Sequence, residues 1–200
     1  MFEIELKAHV YNKEKLKEKL KLFATYEQSV ERNDFYYEQK DKNISVRLRQ
    51  ESTSLQNSKS KEKIQTKNIF TYKKKETKLS SQGIKTEVND EKECTVSDFV
   101  PIEEFLKDAG FVQVLHKQKI VEDYTCKTKF GKANIELCNI PPLGDFIEIE
   151  ILNESEDKKN IENIQQELFA ILEKCSIPKS NIEQKYYSKM LQEANFSGVK

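Results

Sequence analysis

The chain has 200 residues, of which 34 are basic and 34 acidic, so its formal net charge is zero. That length suits a single domain that buries a core without disulfide staples, and the balanced charge excludes an overall field that would draw the protein to nucleic acid or to an anionic membrane. The four cysteines, Cys94, Cys126, Cys138 and Cys175, form no CxxC pair, and no apolar run approaches the roughly 20 residues that a membrane-spanning helix needs. We therefore expect a cytoplasmic protein with reduced thiols and no signal peptide, in which any basic site arises from local segregation of charge.

The N-terminal part of the chain predicts a strand, a helix and a strand pair. Residues 3–10 alternate apolar and charged side chains, as a strand with one buried and one polar face does. Asn12 then caps a helix, and strands are predicted around 28–39 and 44–50 with a turn between them. The Ser/Lys-rich segment 51–68 has little to bury, so we interpret it as an exposed, mobile excursion within the domain.

The rest of the chain combines further strands with three helices. Alternation predicts strands at residues 69–76, 84–93, 112–123, 124–130, 133–139 and 145–152. Helices are predicted over 98–109, along the apolar stripe 161–172 and after Pro178. Many antiparallel strands with few helices indicate an α+β domain built on a curled sheet or barrel. We expect one domain over residues 1–195, followed by a tail at 196–200.

Charged side chains recur on one face of strand after strand, and they are segregated by sign. Acids at i, i+2 spacing occur on the first and last strands, at Glu3, Glu5, Glu148 and Glu150. Bases are concentrated on the strands between them, at Arg47, Arg49, Lys73, Lys75, Lys85, Lys117 and Lys119. Unpaired charges are costly to bury, so this face touches water, either outside the sheet or in a wet channel.

Segregation of this kind favours a site, because a face that serves only solubility usually mixes both signs. Paired carboxylates supply the oxygen ligands that hard cations such as Mg²⁺ and Mn²⁺ prefer. Lysines beside a bound cation form a receptor for a polyanion, and the planar fork of arginine matches phosphate oxygens.

Six motifs in the correct order resemble those of the CYTH superfamily, the triphosphate tunnel metalloenzymes. The sequence EIELK at residues 3–7 resembles the ExExK motif that opens these proteins, and LGDFIEIE at residues 143–150 resembles the ending of the class IV adenylate cyclase-like branch. The motifs between them are Arg47-Leu-Arg49, Thr71-Tyr-Lys73, Lys85-Thr-Glu87 and Lys117-Gln-Lys119. The resemblance covers about residues 2–191.

This resemblance implies a closed antiparallel β-tunnel of eight strands with helices packed outside. It implies that one or two Mg²⁺ or Mn²⁺ ions are held by Glu3, Glu5, Glu148 and Glu150. It also implies that a triphosphate is bound by Lys7, Arg47, Arg49, Lys73, Lys75, Lys85, Lys117 and Lys119. Within that set, the expected catalytic residues are Lys7, Arg47, Arg49, Lys73 and Lys119.

Cys138 departs from the pattern of the cyclase-like branch, whereas Tyr187 matches it. Cys138 stands where the cyclase-like branch has an aspartate, and a thiol is a poor ligand for a hard cation, so the number of metal ions stays open. Tyr187 occupies the position of that branch's C-terminal Ser-Tyr and is interpreted as helix packing against the sheet.

Two reactions fit these features. Attack by the ribose 3′-oxygen of ATP would give cyclic AMP and pyrophosphate, as in class IV adenylate cyclases. Attack by water would make the protein a phosphohydrolase of tripolyphosphate, thiamine triphosphate or a nucleoside triphosphate. A non-catalytic polyphosphate- or nucleotide-binding module is less favoured, because all four acids are retained. The expected partner is thus a small triphosphate, with no nucleic acid or membrane, and the oligomeric state, including a homodimer, is left open.

Overall fold

The structure is a computed structural model that describes the backbone of residues 2–39, 42, 44–55, 63–79, 85–154 and 157–197. Within these ranges the side chains of residues 2, 55, 63, 75–79, 85–91, 158 and 195–197 are not described. Two predicted triphosphate ligands, Lys75 and Lys85, therefore have side chains outside the described part of the chain. Among the described residues, no helix combines the length and the apolar character that crossing a membrane requires.

The described residues form eight strands, four α-helices and one 3₁₀ turn, so the fold is α+β as predicted. The strands are β1 (Phe2–Val10), β2 (Thr25–Gln39), β3 (Ile44–Leu55), β4 (Lys63–Leu79), β5 (Lys85–Val96), β6 (Phe111–Thr128), β7 (Gly131–Ile140) and β8 (Gly144–Asn153). The helices are α1 (Lys13–Leu20), α2 (Val100–Asp108), α3 (Lys158–Lys174) and α4 (Tyr187–Ser197), and the 3₁₀ turn covers Lys179–Asn181.

The strands form one antiparallel sheet in the order β1-β8-β7-β6-β2-β3-β4-β5. The prediction of eight antiparallel strands is confirmed. Over the ranges that the structure describes, β1 and β5 are the two ends of this order and are not joined by hydrogen bonds. Hydrogen bonds between these described strands therefore do not close the sheet into the expected tunnel.

Three predicted boundaries were wrong. The segments 112–123 and 124–130 form a single strand, β6, because no turn residue interrupts its pairing with β7 from Ile120 to Thr128. Residues 56–62 of the predicted excursion lie outside the described part of the chain, whereas residues 51–55 and 63–68 are also strand, since β3 continues to Leu55 and β4 begins at Lys63. There the Ser52 and Thr66 hydroxyls lie 3.2 Å apart, which shows that polar composition does not prevent strand pairing.

The third correction concerns the segment after Pro178. A helix was predicted there, but α4 begins only at Tyr187. The intervening chain is extended because Ile182 forms an antiparallel bridge with Ala8 and the Glu183 amide donates to the Lys7 carbonyl at 2.9 Å. At the other end, α4 continues to Ser197, so the predicted tail at 196–200 begins inside a helix.

The chain divides into two compact units, and the first comprises Met1–Glu31, Thr53–Lys63 and Lys119–Lys200. Its core lies between one face of β1, β7 and β8 and the helices α1 and α3. The core side chains are Leu6, Ala8, Val10, Leu16, Leu20, Ile135, Leu137, Ile147, Ile149, Ile151, Ile164, Leu168, Ile171 and Leu172. Each buried Leu or Ile contributes about 1.5–3 kcal/mol. Because the core residues of β1, β7 and β8 largely occupy alternate strand positions, the remaining positions face the other side of the sheet.

The second unit comprises Arg32–Ser52 and Ile64–Gln118. Its core is smaller and contains Tyr37, Val46, Leu48 and Leu106, against which aromatic side chains such as Phe35 and Phe70 pack. The Tyr37 hydroxyl donates to Glu103 of α2 at 2.9 Å. Here too the alternation of apolar and polar residues on β3 leaves Arg47 and Arg49 on the face opposite Val46 and Leu48.

Candidate functional site

The strand register of the first unit places acids and lysines side by side. Glu5 lies directly opposite Glu150, and Lys7 lies directly opposite Glu148. On the other side of β8, Glu136 lies opposite Glu148. The residues on either side of these five in sequence lie in the core or pack against it, so the five charged side chains share the other face of the sheet. Lys119, whose sequence neighbours are not buried, joins them through its contacts with Glu136 and Glu148. We call Glu5, Lys7, Lys119, Glu136, Glu148 and Glu150 the acid–lysine face.

Lys119 links two acids of this face. Its side chain is 7% exposed, and its ammonium donates to the Glu136 carboxylate and, at 2.5 Å, to Glu148. Burial acts to lower the pKa of Lys119, whereas the Cys138 sulfur, when ionised, and the Glu148 and Glu136 carboxylates act to raise it, and the net shift is upward. Lys119 is therefore charged at neutral pH.

Glu5 and Glu150 sit in an environment that disfavours negative charge. Partial burial raises the pKa of Glu5, and the Glu148 carboxylate adds to the rise. Burial also raises the pKa of Glu150, with a further contribution from Glu3. A bound cation would relieve this repulsion between carboxylates.

Lys7 completes the face on β1. Burial lowers the pKa of Lys7, and the carboxylates of Glu148 and Glu5 oppose that shift. The Lys7 ammonium donates to the main-chain carbonyl of Lys185 at 2.6 Å and lies 4.1 Å from the centre of the Tyr187 ring.

The donor chemistry of the predicted metal ligands fits a divalent cation, but their side chains do not converge. Carboxylates from Glu5, Glu148 and Glu150 share one face, and such oxygens suit Mg²⁺ or Mn²⁺. Across the described residues, no group of three or more His, Cys, Asp or Glu side chains is arranged to hold a metal ion. One reason is visible at Glu148, which Lys119 already engages. Glu3, the fourth predicted ligand, is exposed on β1 and contributes to the raised pKa of Glu150.

A cavity of about 420 Å³ adjoins these acids. Its lining includes Glu5, Glu27, Gln28, Asp123, Thr125, Lys132, Asn134, Glu136, Glu148 and Glu150. The Gln28 amide donates to Asp123 at 2.8 Å, and the Thr125 hydroxyl donates to Glu27 at 2.6 Å. The sequence analysis missed Asp123, Thr125 and Asn134, although the alternation along β6 and β7 would have placed them on this face.

Cys138 and Tyr187 meet at one end of the acid–lysine face. Cys138 is fully buried, and its sulfur lies 3.7 Å from the Tyr187 hydroxyl. Burial raises the pKa of Cys138 to about 12, so the thiol is neutral at physiological pH. The Tyr187 ring also packs edge-on against Phe146, with the ring centroids 5.0 Å apart. Tyr187 is thus more than a packing residue of α4, because it contacts Lys7 directly.

In the second unit, two of the predicted phosphate ligands are bound to a buried acid that the sequence analysis missed. Asp34 is 0% exposed. It accepts two hydrogen bonds from the Arg49 guanidinium, at 2.6 and 2.9 Å, and its carboxylate lies 3.0 Å from the Lys117 ammonium. An aspartate inside a long strand is unusual, which is the signal that could have singled it out.

Arg47 and Lys73 have different surroundings in the same unit. The Arg47 guanidinium donates to Thr71 at 3.1 Å and to Glu93 at 3.2 Å, while its buried Nε has no hydrogen-bond partner among the described residues. Lys73 is half-buried on β4, opposite Glu91 in the register with β5. The structure thus places Arg47, Arg49, Lys73 and Lys117 within one unit.

The fold and the site together define an α+β protein whose antiparallel sheet carries a polar face of acids and lysines. The model of the CYTH domain family matches residues 1–187, and the chain belongs to this family. The family assignment made from the sequence motifs is confirmed.

Solved structures share this fold. The PH1819 protein of Pyrococcus horikoshii OT3 is 24% identical, with a TM-score of 0.67 and coverage of 96% of this chain and 99% of that one. The PH1012 protein of the same organism is 24% identical, with a TM-score of 0.61 and coverage of 94% and 98%. A Vibrio parahaemolyticus protein provisionally assigned as an adenylate cyclase is 16% identical, with a TM-score of 0.61 and coverage of 96% and 98%. No curated protein matches the chain significantly.

Proposed function

We propose that the protein is a divalent-metal-dependent enzyme that acts on triphosphate-bearing substrates. CYTH domains are in general enzymes that act on triphosphates and depend on divalent metals. The observation that carries the proposal for this chain is the acid–lysine face, on which Glu5 and Glu150 lie opposite each other and Lys7 lies opposite Glu148. Carboxylates that repel one another can bind a divalent cation, and the two lysines beside them can bind the phosphate chain.

In this proposal Glu3, Glu5, Glu148 and Glu150 hold Mg²⁺ or Mn²⁺. A divalent cation bound there would neutralise phosphate charge and orient the phosphate oxygens. Lys7 and Lys119 would donate hydrogen bonds to those oxygens. Two of the three donors of the Lys119 ammonium engage Glu136 and Glu148, so the third would bind a phosphate oxygen while the ammonium stays paired with negative charge.

The bases of the second unit are proposed as further triphosphate ligands, as the motif resemblance implies. Arg47 supports this role best, because its Nε donor has no hydrogen-bond partner among the described residues. Arg49 and Lys117 would act from positions fixed by Asp34. Lys73, Lys75 and Lys85 are proposed on the motifs alone, and the closed tunnel stays part of the same proposal.

Adenylate cyclase-like activity is the first candidate reaction. The ribose 3′-oxygen of ATP would form a bond to the α-phosphorus as the bond from that phosphorus to the bridging oxygen breaks, and pyrophosphate would leave. The LGDFIEIE ending at residues 143–150 favours this branch.

Hydrolysis is the second candidate, and the buried Cys138 favours it. A neutral thiol replaces the carboxylate of the cyclase-like branch, and it cannot serve as an oxygen ligand. Under this alternative, the oxygen of water would form a bond to the terminal phosphorus of tripolyphosphate, thiamine triphosphate or a nucleoside triphosphate. The bond from that phosphorus to the bridging oxygen would break, releasing phosphate and the corresponding diphosphate. A non-catalytic binding module is the least favoured option, because the acids that binding alone would not need are all present.

A substrate panel tests the proposal. ATP, tripolyphosphate and thiamine triphosphate are each incubated with the protein and Mg²⁺ or Mn²⁺, while phosphate, pyrophosphate and cyclic AMP are followed together. Metal-dependent release of any of these products supports an enzyme, and their ratio separates cyclase from hydrolase. If tripolyphosphate and ATP bind in a titration but no product forms with either metal, the binding module replaces the enzyme.

A further inference from the structure

The segment before α4 lies across β1, next to the acid–lysine face. Ile182 bridges to Ala8, the Glu183 amide donates to the Lys7 carbonyl at 2.9 Å, and the Asn181 amide donates to the His9 carbonyl at 3.3 Å. Glu183 also pairs with the His9 ring at 3.3 Å. These contacts fix the main chain that leads into Tyr187.

Lys7 is held from two directions by the end of this segment. The Lys185 carbonyl accepts a hydrogen bond from the Lys7 ammonium at 2.6 Å, and the Tyr187 ring centre lies 4.1 Å from the same nitrogen. A lysine ammonium has three N–H donors. The contacts found among the described residues therefore leave donor capacity for an anionic ligand.

The Tyr187 ring is itself held in place. It packs edge-on against Phe146 with centroids 5.0 Å apart, its hydroxyl lies 3.7 Å from the Cys138 sulfur, and Lys119 lies 5.9 Å from the ring centre. A ring fixed by three neighbours can restrict a flexible lysine side chain, which otherwise loses considerable rotamer entropy when it binds a ligand.

We infer that Tyr187 is a positioning residue that, together with the Lys185 carbonyl, holds the Lys7 ammonium in the orientation from which it binds phosphate. The inference rests on the proposed function, because it takes Lys7 as a phosphate ligand. The aromatic ring carries the effect on Lys7, whereas the hydroxyl faces Cys138 and the Glu148 carboxylate. Tyr187 acts through Lys7 and does not itself touch the reacting atoms.

Two variants of Tyr187 and a neighbouring control separate this role from packing. Tyr187→Phe keeps the ring, Tyr187→Leu removes it, and Tyr186→Leu changes a side chain that is 80% exposed. The first measurement is the rate at which acetic anhydride modifies Lys7, followed by peptide mass spectrometry with the exposed Lys159 as internal standard. We expect Tyr187→Leu to raise the Lys7 rate at least about 3-fold, while Tyr187→Phe and Tyr186→Leu leave it unchanged.

The second measurement is the affinity for inorganic tripolyphosphate with Mg²⁺, taken from calorimetry. Tyr187→Leu should weaken binding by about 3- to 10-fold, Tyr187→Phe by less than about 2-fold, and Tyr186→Leu not at all. In a Lys7→Gln background the Tyr187→Leu change should have no further effect, which a purely structural role would not predict. If Tyr187→Leu does not fold, the comparison uses Tyr187→His, which keeps a smaller ring and should show an intermediate loss.

The outcomes distinguish the inference from the proposed function. Two results overturn the inference alone. One is an equal rate of Lys7 modification in wild type and Tyr187→Leu. The other is that Tyr187→Leu weakens tripolyphosphate binding equally in the wild-type and Lys7→Gln backgrounds. If wild-type protein binds no tripolyphosphate, yet Lys7 is protected from acetylation as expected, the proposed function is contradicted while the positioning of Lys7 by Tyr187 is supported.

Discussion

Glu5, a proposed metal ligand, lies in surroundings that disfavour its negative charge. It lies opposite Glu150, and its pKa is raised by partial burial and by Glu148. We expect Glu5→Gln to reduce metal-dependent turnover by about 100-fold or more while leaving the melting temperature nearly unchanged, because the side chain buries no apolar surface and its removal relieves repulsion. Turnover at saturating Mg²⁺ and thermal melts check this.

The matched control is Glu18→Gln, on the exposed side of α1. It removes the same charge far from the acid–lysine face and should keep wild-type turnover. Near-wild-type activity of Glu5→Gln at saturating Mg²⁺ would mean that the metal site has been assigned to the wrong residues.

Arg47 offers a sharper test of phosphate binding than the other bases of its unit. Arg47→Lys keeps the charge but loses the planar fork that now contacts Thr71 and Glu93. Since a hydrogen bond to a charged group contributes about 1.5–3 kcal/mol, we expect tripolyphosphate to bind about 10-fold more weakly or worse. Lys67→Gln, an exposed change that does remove a charge, should leave the affinity unchanged. Identical affinities for wild type and Arg47→Lys would defeat the assignment.

Cys138→Asp restores the acid of the cyclase-like branch in a fully buried position. A third carboxylate near Lys119, beside Glu136 and Glu148, should cost about 2 kcal/mol without metal, which corresponds to a melting temperature about 4–8 °C lower. Because a cation would relieve that crowding, Mn²⁺ should raise the melting temperature of the variant more than that of wild type. Equal Mn²⁺ shifts for the two proteins would show that position 138 has no part in metal binding.

The acids and lysines of the candidate site were predictable because strand alternation is local. Glu5, Glu148, Lys7 and Lys119 follow from i, i+2 spacing together with motif resemblance. Asp34 was missed because its importance depends on two partners distant in sequence. The contact between Lys7 and Tyr187 was missed for the same reason, since nothing local indicates that the segment after Pro178 pairs with β1.

Three strands of the second unit are joined by Asp34, whose partners come from β3 and β6. Burial acts to raise the pKa of Asp34, but the hydrogen bond from Arg49 and the charge of Lys117 outweigh it, so the pKa is lowered from 3.8. The folded protein therefore binds fewer protons than the unfolded chain as Asp34 titrates. The ionised Asp34 stabilises the fold fully above the pKa that it has in the unfolded chain, and this stabilisation is lost as the pH falls below that value.

Asp34→Asn should thus lower the free energy of unfolding by about 3–5 kcal/mol at pH 7, because it leaves two cations without their buried partner. The deficit should shrink as the pH falls below about 4. Urea unfolding between pH 2 and 7 measures both effects, with Asp108→Asn, an exposed change at the end of α2, as the control. A deficit that is constant over this range would contradict the assigned ionisation of Asp34.

Strands and helices were predicted best where apolar residues repeat, as in β1, β8 and α3. Prediction failed where pairing, not burial, determines the structure. The hydroxyl-rich ends of β3 and β4 bury little, yet Ser52 and Thr66 lie side by side, and β6 continues past residue 123 because β7 pairs with it. Likewise, the order β1-β8-β7-β6-β2-β3-β4-β5 depends on long-range pairing that alternation within single strands does not encode.

Zero net charge is compatible with the proposed polyanionic substrate because charge is segregated within the protein. The first unit carries the predicted metal ligands with Lys7 and Lys119, and the second carries Arg47, Arg49, Lys73 and Lys117. This distribution of charge fits membership of the CYTH family. Because the charges of the two signs cancel over the whole chain, overall composition reveals little about function.

Direct binding of Mn²⁺ is the measurement on which the proposed function most depends. Free Mn²⁺ has a strong electron paramagnetic resonance signal that falls when the ion binds protein, so a titration with and without tripolyphosphate gives the number of bound ions and their affinity. We predict one or two ions bound by wild type and by Glu18→Gln, tighter binding when tripolyphosphate is present, and at least a 10-fold loss of affinity in Glu5→Gln and Glu150→Gln. Two results would contradict the proposed role of the acid–lysine face. In the first, wild-type protein binds no Mn²⁺ with tripolyphosphate present; in the second, the two site variants bind Mn²⁺ as tightly as wild type does.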